Sequence, residues 1–204
     1  MEVMYSNSIN NKCFNKRSFI AFMGEASDLT TIVSDINIAH LKESSKAKRL
    51  ITNISYLDVV GLNYSVLKKK VKDLSDTELK LVKLIHICEK HPNLIILNNF
   101  DLGFNYKNKS KLSKLIKTIN AEYKTNFIII SNDIIFLNKV AKHLIISKNR
   151  IIKYQGDIMT AIKQGLVTKP PIIEFIDLAN SKKANLTYTL DNKELLKDIY
   201  RSVF

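Results

Sequence analysis

The sequence LIILNNFDLGFN at residues 94–105 decides the fold class, because four apolar residues in a row are followed at once by polar ones. An apolar run of this length is typical of a parallel strand that is covered on both faces. A second run, FIII at residues 127–130, follows a stretch at 111–123 whose apolar residues have helical spacing. The order strand, helix, strand predicts an α/β domain built on a mostly parallel sheet.

The rest of the chain extends this pattern on both sides. Apolar spacing and turn residues predict further strands at 18–23, within 50–60, at 143–147 and at 151–154, and further helices at 30–41, 79–89 and 134–141. After Lys169 we predict a helix at 172–180, a β-like stretch at 186–190 and a final helix capped by Asp191.

Composition narrows the class of protein. The chain has 204 residues, 46% of them hydrophobic and 25% charged, which predicts a globular protein in place of a disordered one. Its two cysteines, Cys13 and Cys88, lie far apart, which argues against a disulfide framework or a zinc site. The apolar runs are too short to cross a bilayer, so we expect a cytoplasmic protein. A net charge of +13 attracts anionic partners, either nucleic acid or membrane, although a solvated basic surface is the simpler interpretation.

A candidate phosphate-binding loop follows the first buried strand. The sequence GEASDLTT at residues 24–31 lies where a G-x-x-x-x-G-K-[ST] loop would sit, between a strand and a helix. Gly24 and Thr31 match that motif, whereas Leu29 replaces its second glycine and Thr30 replaces its lysine. Taken alone, the segment is also explained by an ordinary turn from strand to helix.

Four other segments place polar residues at the ends of predicted elements. The sequence ISYLD ends at Asp58, and VKDLSDTE carries Ser75 and Asp76 at the start of a helix, where Ser75 and Glu78 form a capping-box pattern. Asn98 and Asn99 follow one apolar run, and the sequence SND follows the other with Asn132 at its centre.

In this order, the five segments resemble the ATP-binding subunits of ATP-binding-cassette (ABC) transporters, over about residues 18–162. The tail resembles the C-terminal extension of energy-coupling-factor and cobalt-type subunits. This resemblance implies a P-loop NTPase fold whose mostly parallel sheet is flanked by helices. It also implies a nucleotide-binding domain at 1–165 and a small extension at 166–204, a possible dimerisation element. The short interval from Thr31 to Leu74 implies a shortened helical subdomain.

The resemblance gives each polar position a counterpart that faces nucleotide. Gly24, Leu29, Thr30 and Thr31 correspond to the phosphate loop of the family, and Asp58 corresponds to its metal- and water-contacting glutamine. Ser75 and Asp76 correspond to the L-S-G-G-Q signature. Asn98 and Asn99 stand at the positions of the magnesium aspartate and the general-base glutamate, and Asn132 stands at that of the switch histidine. Asparagine cannot accept a proton from water at neutral pH. Whether Tyr5 replaces the adenine-stacking aromatic is left open.

From these replacements we predict a subunit without catalytic residues or a metal site, a pseudo-ATPase for which ATP and magnesium binding is expected to be weak. The resemblance implies a structural or regulatory role in a heterodimer with an intact ABC ATPase, beside a transmembrane subunit. The chain would then be peripheral on the inner face of the cell membrane, contacting it through its partner.

Two other classes of protein compete with this interpretation. A basic nucleic-acid-binding protein on a P-loop-like scaffold would use the positive charge, but the lysines are spread along the chain and no recognition motif is present, so no nucleic acid partner is expected. An unrelated hydrolase would use His86, His91 or His143, but these histidines lie on or beside apolar elements and show no triad pattern.

Overall fold

The computed structural model describes residues 2–6, 19–31, 33 and 37–203, without the side chains of residues 2, 30, 31 and 203. It divides the chain into two compact units, residues 1–155 and 156–204. The predicted functional division after residue 165 stays a prediction.

The first unit is organised around a sheet of seven strands in the order β3-β1-β4-β5-β2-β6-β7. The strands β4, β5, β2 and β6 run parallel, while β1 pairs antiparallel with both β4 and β3. Their bounds are β1 Glu2–Ser6, β2 Phe19–Met23, β3 Asn37–Ile38, β4 Leu94–Asn98, β5 Asn126–Ile130, β6 His143–Lys148 and β7 Ile151–Asp157. The predicted mostly parallel sheet flanked by helices is confirmed.

Seven α-helices lie within the described residues. Four belong to the first unit: α1 Ser55–Val60, α2 Asp76–Cys88, α3 Tyr106–Tyr123 and α4 Ile134–Val140. Three belong to the second unit: α5 Ile158–Lys163, α6 Pro171–Ser181 and α7 Asn192–Val203. Short 3-10 helices occupy Ala26–Thr31, Ala47–Arg49, Tyr64–Lys68 and Val71–Asp73. In the described part of the chain, no helix is both long enough and apolar enough to span a bilayer.

The two apolar runs form the centre of the sheet. Residues 94–97 of β4 and 127–130 of β5 are buried throughout, as a strand covered on both faces requires. One face packs into a core cluster made by β1, β2, β4, β5, β6 and the segment after β2, with Met4, Ile20, Phe22, Leu29, Val33, Leu94, Ile96, Ile128, Ile130 and Ile145 as its members. Burial of this apolar surface is the main stabilising term of the sheet.

The prediction of a helix at residues 30–41 is wrong for the described residues. A 3-10 helix at Ala26–Thr31 comes first, and strand β3 at Asn37–Ile38 then pairs with β1. Val33 N donates to the carbonyl of Leu29 at 2.8 Å. Backbone pairing with β1 therefore overrides the helical spacing of the sequence.

The prediction of a strand within residues 50–60 is also wrong, because residues 55–60 form helix α1. Tyr56, Leu57 and Val60 are buried together, which is the one-sided spacing of a short helix. Gly61 ends it with a φ of +64°, and its N–H donates to the carbonyls of Asp58 and Leu57. That left-handed ending favours glycine and closes helices in many proteins.

The β-like stretch at residues 186–190 forms no strand. The side chain of Asn180 takes both backbone groups of Leu186, accepting from its N–H at 2.6 Å and donating to its carbonyl at 2.9 Å. These bonds replace the ladder that a strand would need. Helix α7 follows as predicted, and Asp191 Oδ1 accepts from Lys193 N at 2.8 Å.

The interval between β3 and α2 holds little helix. Its described residues contain the six-residue α1 and three 3-10 helices of three to five residues each. This agrees with the predicted shortening of the helical subdomain.

Candidate functional site

Three loops meet at one edge of the sheet, because β4, β5 and β2 are parallel neighbours whose carboxyl ends point the same way. Backbone hydrogen bonds join these loops: Asn99 N donates to Ile130 O at 2.9 Å, and Ser131 N donates to Phe22 O at 3.3 Å. In open α/β sheets, this edge is where ligands bind. It holds four of the residues predicted to face nucleotide, Gly24, Asn98, Asn99 and Asn132.

The loop after β2 begins at Gly24, where a side chain has no room. A Cβ at this position would lie 2.9 Å from the Ser147 carbonyl oxygen and 3.0 Å from Phe22 Cε1, and the φ of +158° is itself unusual for other residues. Asp28 lies buried in the same loop, and its Oδ1 accepts from the backbone N–H of Arg150 at 2.9 Å. An anionic side chain therefore packs against the loop where the family resemblance expects a phosphate.

The side chain of Leu29 belongs to the core. It is fully buried among Ile20, Phe22 and Ile96 in the main apolar cluster. The substitution of the motif's second glycine by leucine is therefore explained by packing. Thr30 and Thr31 complete the 3-10 helix, and their side chains lie outside the described part of the chain.

The loop after β4 begins with two half-buried amides. Asn98 is the last residue of the strand, and its Oδ1 accepts from Asn99 Nδ2 at 3.2 Å. Asn99 has a φ of +48°, a left-handed conformation that asparagine tolerates better than most residues. Both side chains are neutral, so they can orient a polar ligand but cannot take up a proton from it.

Lys109 of helix α3 joins the loops that follow β4 and β5. Its Nζ lies 3.1 Å from Asp101 Oδ2 and 2.6 Å from Asp133 Oδ2. Burial acts to raise the pKa of Asp133, but the hydrogen bonds from Lys109 and from Phe136 N outweigh it and leave the pKa below its usual value. Burial acts to lower the pKa of Lys109, and its bonds to the two carboxylates outweigh it and raise the pKa.

Lys80 of helix α2 holds the loop after β4 from its other side. Its Nζ donates to the carbonyls of Phe100, at 3.4 Å, and Leu102, and it lies 5.3 Å from the centre of the Phe104 ring. Burial lowers the pKa of Lys80, against the opposing effect of Asp76 and Asp101. The loop at 99–104 is thus fixed between two lysines on different helices.

Ser75 and Asp76 stand at the start of helix α2. Ser75 Oγ accepts from Glu78 N at 3.3 Å and Ser75 N donates to Glu78 Oε2 at 2.9 Å, so the predicted capping box is present. Asp76 is exposed and lines a small cavity of about 170 Å³ that Lys80, Lys83 and Phe100 also line.

Asp58 is placed away from any strand end. It lies on helix α1, and its Oδ2 accepts from the hydroxyl of Tyr64 at 2.7 Å. The prediction that Asp58 ends a strand depended on a strand within residues 50–60, where the structure has helix α1 instead. Tyr5 lies on β1, which β4 and β5 separate from β2, and its ring is 6.0 Å from Lys90 Nζ.

The three histidines that the alternative of an unrelated hydrolase would use have structural positions. His86 Nδ1 is hydrogen-bonded to the Leu50 carbonyl at 2.8 Å, and the ring of His91 packs at 4.1 Å from the ring of Tyr123. His143 is the first residue of β6, paired with Ile20 of β2.

Sequence reasoning missed four charged residues at this edge: Asp28, Lys80, Asp101 and Lys109. None of these four residues aligns with a nucleotide-contacting residue of the family that is replaced in this chain. The sequence separation of Asp101, Lys109 and Asp133 also hides their contact, because the topology of β4, α3 and β5 alone brings them together. One signal was available, since an aspartate in the loop after a buried strand needs a cationic or hydrogen-bonding partner if it is itself buried.

Within the described part of the chain, the side chains alone form no metal site. Among them, no group of three histidine, cysteine, aspartate or glutamate side chains could hold a metal. One oxygen that could act as a metal ligand is Asp101 Oδ1, which is buried without a hydrogen-bond partner within the described part of the chain. The other oxygen of this carboxylate, Oδ2, is bound to the ammonium group of Lys109. No catalytic step through a metal follows from this geometry.

The fold of the chain is that of the ABC nucleotide-binding domain. A protein described as a cobalt transport ATP-binding protein superposes with a TM-score of 0.56 at 11% identity, covering 78% of this chain and 82% of its own. The dimeric bacterial ABC transporter cassette MJ0796 superposes with a TM-score of 0.55 at 11% identity, covering 76% and 98%. At such low identity these likenesses establish the fold alone.

Curated sequence relatives are ATP-binding proteins of ABC transporters. The energy-coupling factor transporter ATP-binding protein EcfA2 of Clostridium perfringens is 25% identical over 138 residues, which is 67% of this chain and 47% of the relative. EcfA2 of Mycoplasma genitalium is 23% identical, covering 59% and 41%. The lipoprotein-releasing system ATP-binding protein LolD of Buchnera aphidicola is 28% identical, covering 61% and 58%. The chain spans about half the length of these relatives, and no protein-family profile matches it.

The predicted resemblance to ABC ATP-binding subunits, including the energy-coupling-factor type, is confirmed by these relatives. The prediction that the chain is not an enzyme is wrong: its relatives belong to a family of ATP-hydrolysing enzymes, and no feature of the structure shows inactivity. The alternative of a nucleic-acid-binding protein finds no support among the relatives.

Proposed function

We propose that the chain is an ATP-binding subunit of an ABC-type membrane transporter. The observation that carries this proposal is the meeting of three loops at the carboxyl ends of β4, β5 and β2, with Gly24 opening the loop after β2. The relatives that are ATP-binding proteins of energy-coupling factor transporters support it.

The proposed subunit works in a pair with a second ABC ATPase subunit, beside a transmembrane subunit at the inner face of the cell membrane. In such a pair, each nucleotide lies between the phosphate loop of one subunit and the signature segment of the other. This chain would bring Gly24 and its loop to one site, and Ser75 with Asp76 to the other. The two sites would therefore differ in charge, because Asp76 is anionic and exposed where the resemblance expects glycine.

We propose a structural or regulatory role for this subunit in the pair, and the charge of the loops supports that role. Asn98, Asn99 and Asn132 offer neutral amides, and Asp28 adds a buried carboxylate beside Gly24. A triphosphate near such a loop would lack the lysine that usually compensates its charge. We therefore propose that nucleotide binding by this subunit depends on groups supplied by its partner.

The composition of the native complex tests this proposal. The full chain, carrying an affinity tag at its C-terminus, is recovered from detergent-solubilised membranes of its host, and the co-purifying proteins are identified by mass spectrometry. We expect an ABC ATPase and a transmembrane protein. ATP binding is then measured for the chain alone and for the recovered complex. Recovery of the chain without an ABC ATPase or a transmembrane protein would contradict the proposal, and so would a recovered complex that binds no ATP.

A further inference from the structure

Two basic segments of the chain are held side by side between β3 and α2. Lys46 and Lys70 face each other in an antiparallel bridge. Ala47 N donates to Lys69 O at 3.0 Å, and Val71 N donates to Ser45 O at 2.9 Å. These two bonds flank the bridge on both sides, so the backbone fixes the pairing of the two lysines.

This pairing brings like charges close together. Because its hydrogen bonds are made by the flanking residues, Lys46 and Lys70 form a non-hydrogen-bonded pair, the closer of the two antiparallel arrangements, at about 4.5 Å between Cα atoms. Both residues are exposed. Like charges directly opposite each other destabilise a strand pair. Folding stability therefore does not explain two lysines at this bridge.

Further cations surround the pair. We name as the basic bridge the six exposed residues Lys46, Lys48, Arg49, Lys68, Lys70 and Lys72. Within the described residues, none of them lies within 4.0 Å of a carboxylate, whereas the neighbouring Lys69 pairs with Glu78 at 2.8 Å. The positive charge of the basic bridge is thus open to an external partner.

The basic bridge rests on a buried support. Ala47, Val66 and Val71 are buried beneath it, with at most 5% of their surface exposed. Each belongs to a 3-10 helix that carries a cation of the bridge, and Lys46 and Lys70 directly precede two of these helices. The cations are therefore presented by a packed surface, which distinguishes them from a flexible basic run.

We propose that the basic bridge binds the anionic headgroups of a phospholipid membrane. Five of its six cations are lysines, which act as point charges toward phosphate and lack the planar group with which arginine stacks on bases. Basic residues near an anionic leaflet each contribute to binding, and their effects accumulate. The choice of membrane over other polyanions rests on the proposed function as a transporter subunit, but binding itself would need no partner protein.

Vesicle sedimentation tests this proposal with the full chain and without nucleotide. Phosphatidylcholine vesicles are compared with vesicles in which a quarter of the lipid is phosphatidylglycerol. We expect binding to the anionic vesicles alone, and K46Q/K70Q should weaken it about tenfold or more. K46R/K70R should bind like the original chain, because both charges remain.

The matched control is K114Q/K117Q, which removes two exposed lysines from helix α3. It should change vesicle binding by less than about threefold, and thermal melts should show that all variants fold. An equal loss of vesicle binding in both double variants would overturn the proposal, because the net charge of the protein would then explain the binding. Absence of vesicle binding would overturn it too, as would binding to single-stranded RNA without binding to vesicles. Because the assay contains neither ATP nor a partner, these outcomes are independent of the proposed transporter function.

Discussion

Lys109 and Asp133 are joined by an ammonium–carboxylate contact of 2.6 Å across 24 residues of sequence, and Asp133 is also the N-cap of helix α4. The same ammonium holds Asp101, whose side chain is 2% exposed. One lysine therefore links helix α3, the start of α4 and the loop after β4. The position of that loop at the candidate nucleotide site depends on this contact.

Removing the charge of Lys109 should destabilise the fold. Lys109→Met leaves Asp101 buried without its cation, and breaking a buried pair from one side costs about 3 kcal/mol. Urea unfolding measures this cost. Lys114→Met, on the same helix but exposed, should change the free energy of unfolding by less than about 0.5 kcal/mol. Equal effects of the two substitutions would show that the Lys109 contact contributes nothing.

The charge of Asp133 should appear in the pH dependence of stability. Its pKa is lowered in the folded protein, so its contribution is present above the unfolded-state pKa, about 3.9, and is lost as the pH falls through the folded pKa. Asp133→Asn keeps an N-cap acceptor but loses the charge. We expect this variant to be less stable than the original chain at pH 6, by about 1 kcal/mol, and the difference to vanish toward pH 2. A difference that stays constant with pH would contradict this assignment.

Leu29 should behave as a core residue. Leu29→Ala removes a fully buried side chain and should cost about 3 kcal/mol of unfolding free energy. Leu102→Ala, at a position that is 54% exposed, should cost well under about 1 kcal/mol. Chemical denaturation measures the free energy of unfolding of both variants. An unchanged free energy of unfolding in Leu29→Ala would show that the side chain lies outside the core.

Gly24 should not accept a side chain. Gly24→Ala brings a Cβ to 2.9 Å from the Ser147 carbonyl oxygen in addition to the unusual φ, and should cost about 2 kcal/mol. Gly103→Ala has a φ of +81° but no atom within 4 Å of the new Cβ, so backbone strain alone should cost about 1 kcal/mol. The two melting temperatures separate steric contact from strain. A Gly24→Ala variant as stable as Gly103→Ala would show that the loop yields.

Asp28 should limit the affinity of the loop for phosphate. Asp28→Asn keeps an oxygen that can accept from Arg150 N but removes the negative charge beside Gly24. We expect the affinity for ATP, measured by calorimetry, to rise about tenfold. Asp73→Asn makes the same change of net charge at an exposed position and should leave the affinity unchanged. A similar gain in both variants would assign the effect to net charge.

The central strands could be predicted from sequence because their burial is complete. Residues 94–97 and 127–130 are apolar at every position, and no helix of the required length fits between their polar borders. Helix α2 was equally predictable, since its capping box fixes its start and its apolar spacing fixes one face. These elements depend on local pattern and burial alone.

The errors arose where distant residues decide the local structure. Residues 37–38 join a strand because β1 offers a partner, and Leu186 stays out of one because Asn180 takes its backbone groups. At the site, position matching found Asn98 and Asn99 but missed Lys109, whose role exists only through contacts with Asp101 and Asp133. The burial of the Leu29 side chain in the core was likewise hidden, because motif comparison considers the position and not its packing.

The pairing of β1 with β4 has a consequence for handling the protein. Five consecutive positions of β1 cover the outer side of β4, from Glu2 opposite Asn98 to Ser6 opposite Leu94. A form of the chain trimmed before β2 would leave one edge of the buried strand β4 with unpaired N–H and C=O groups, a template for strand addition by another molecule. Strand β1 thus protects β4 from pairing with a strand of another molecule.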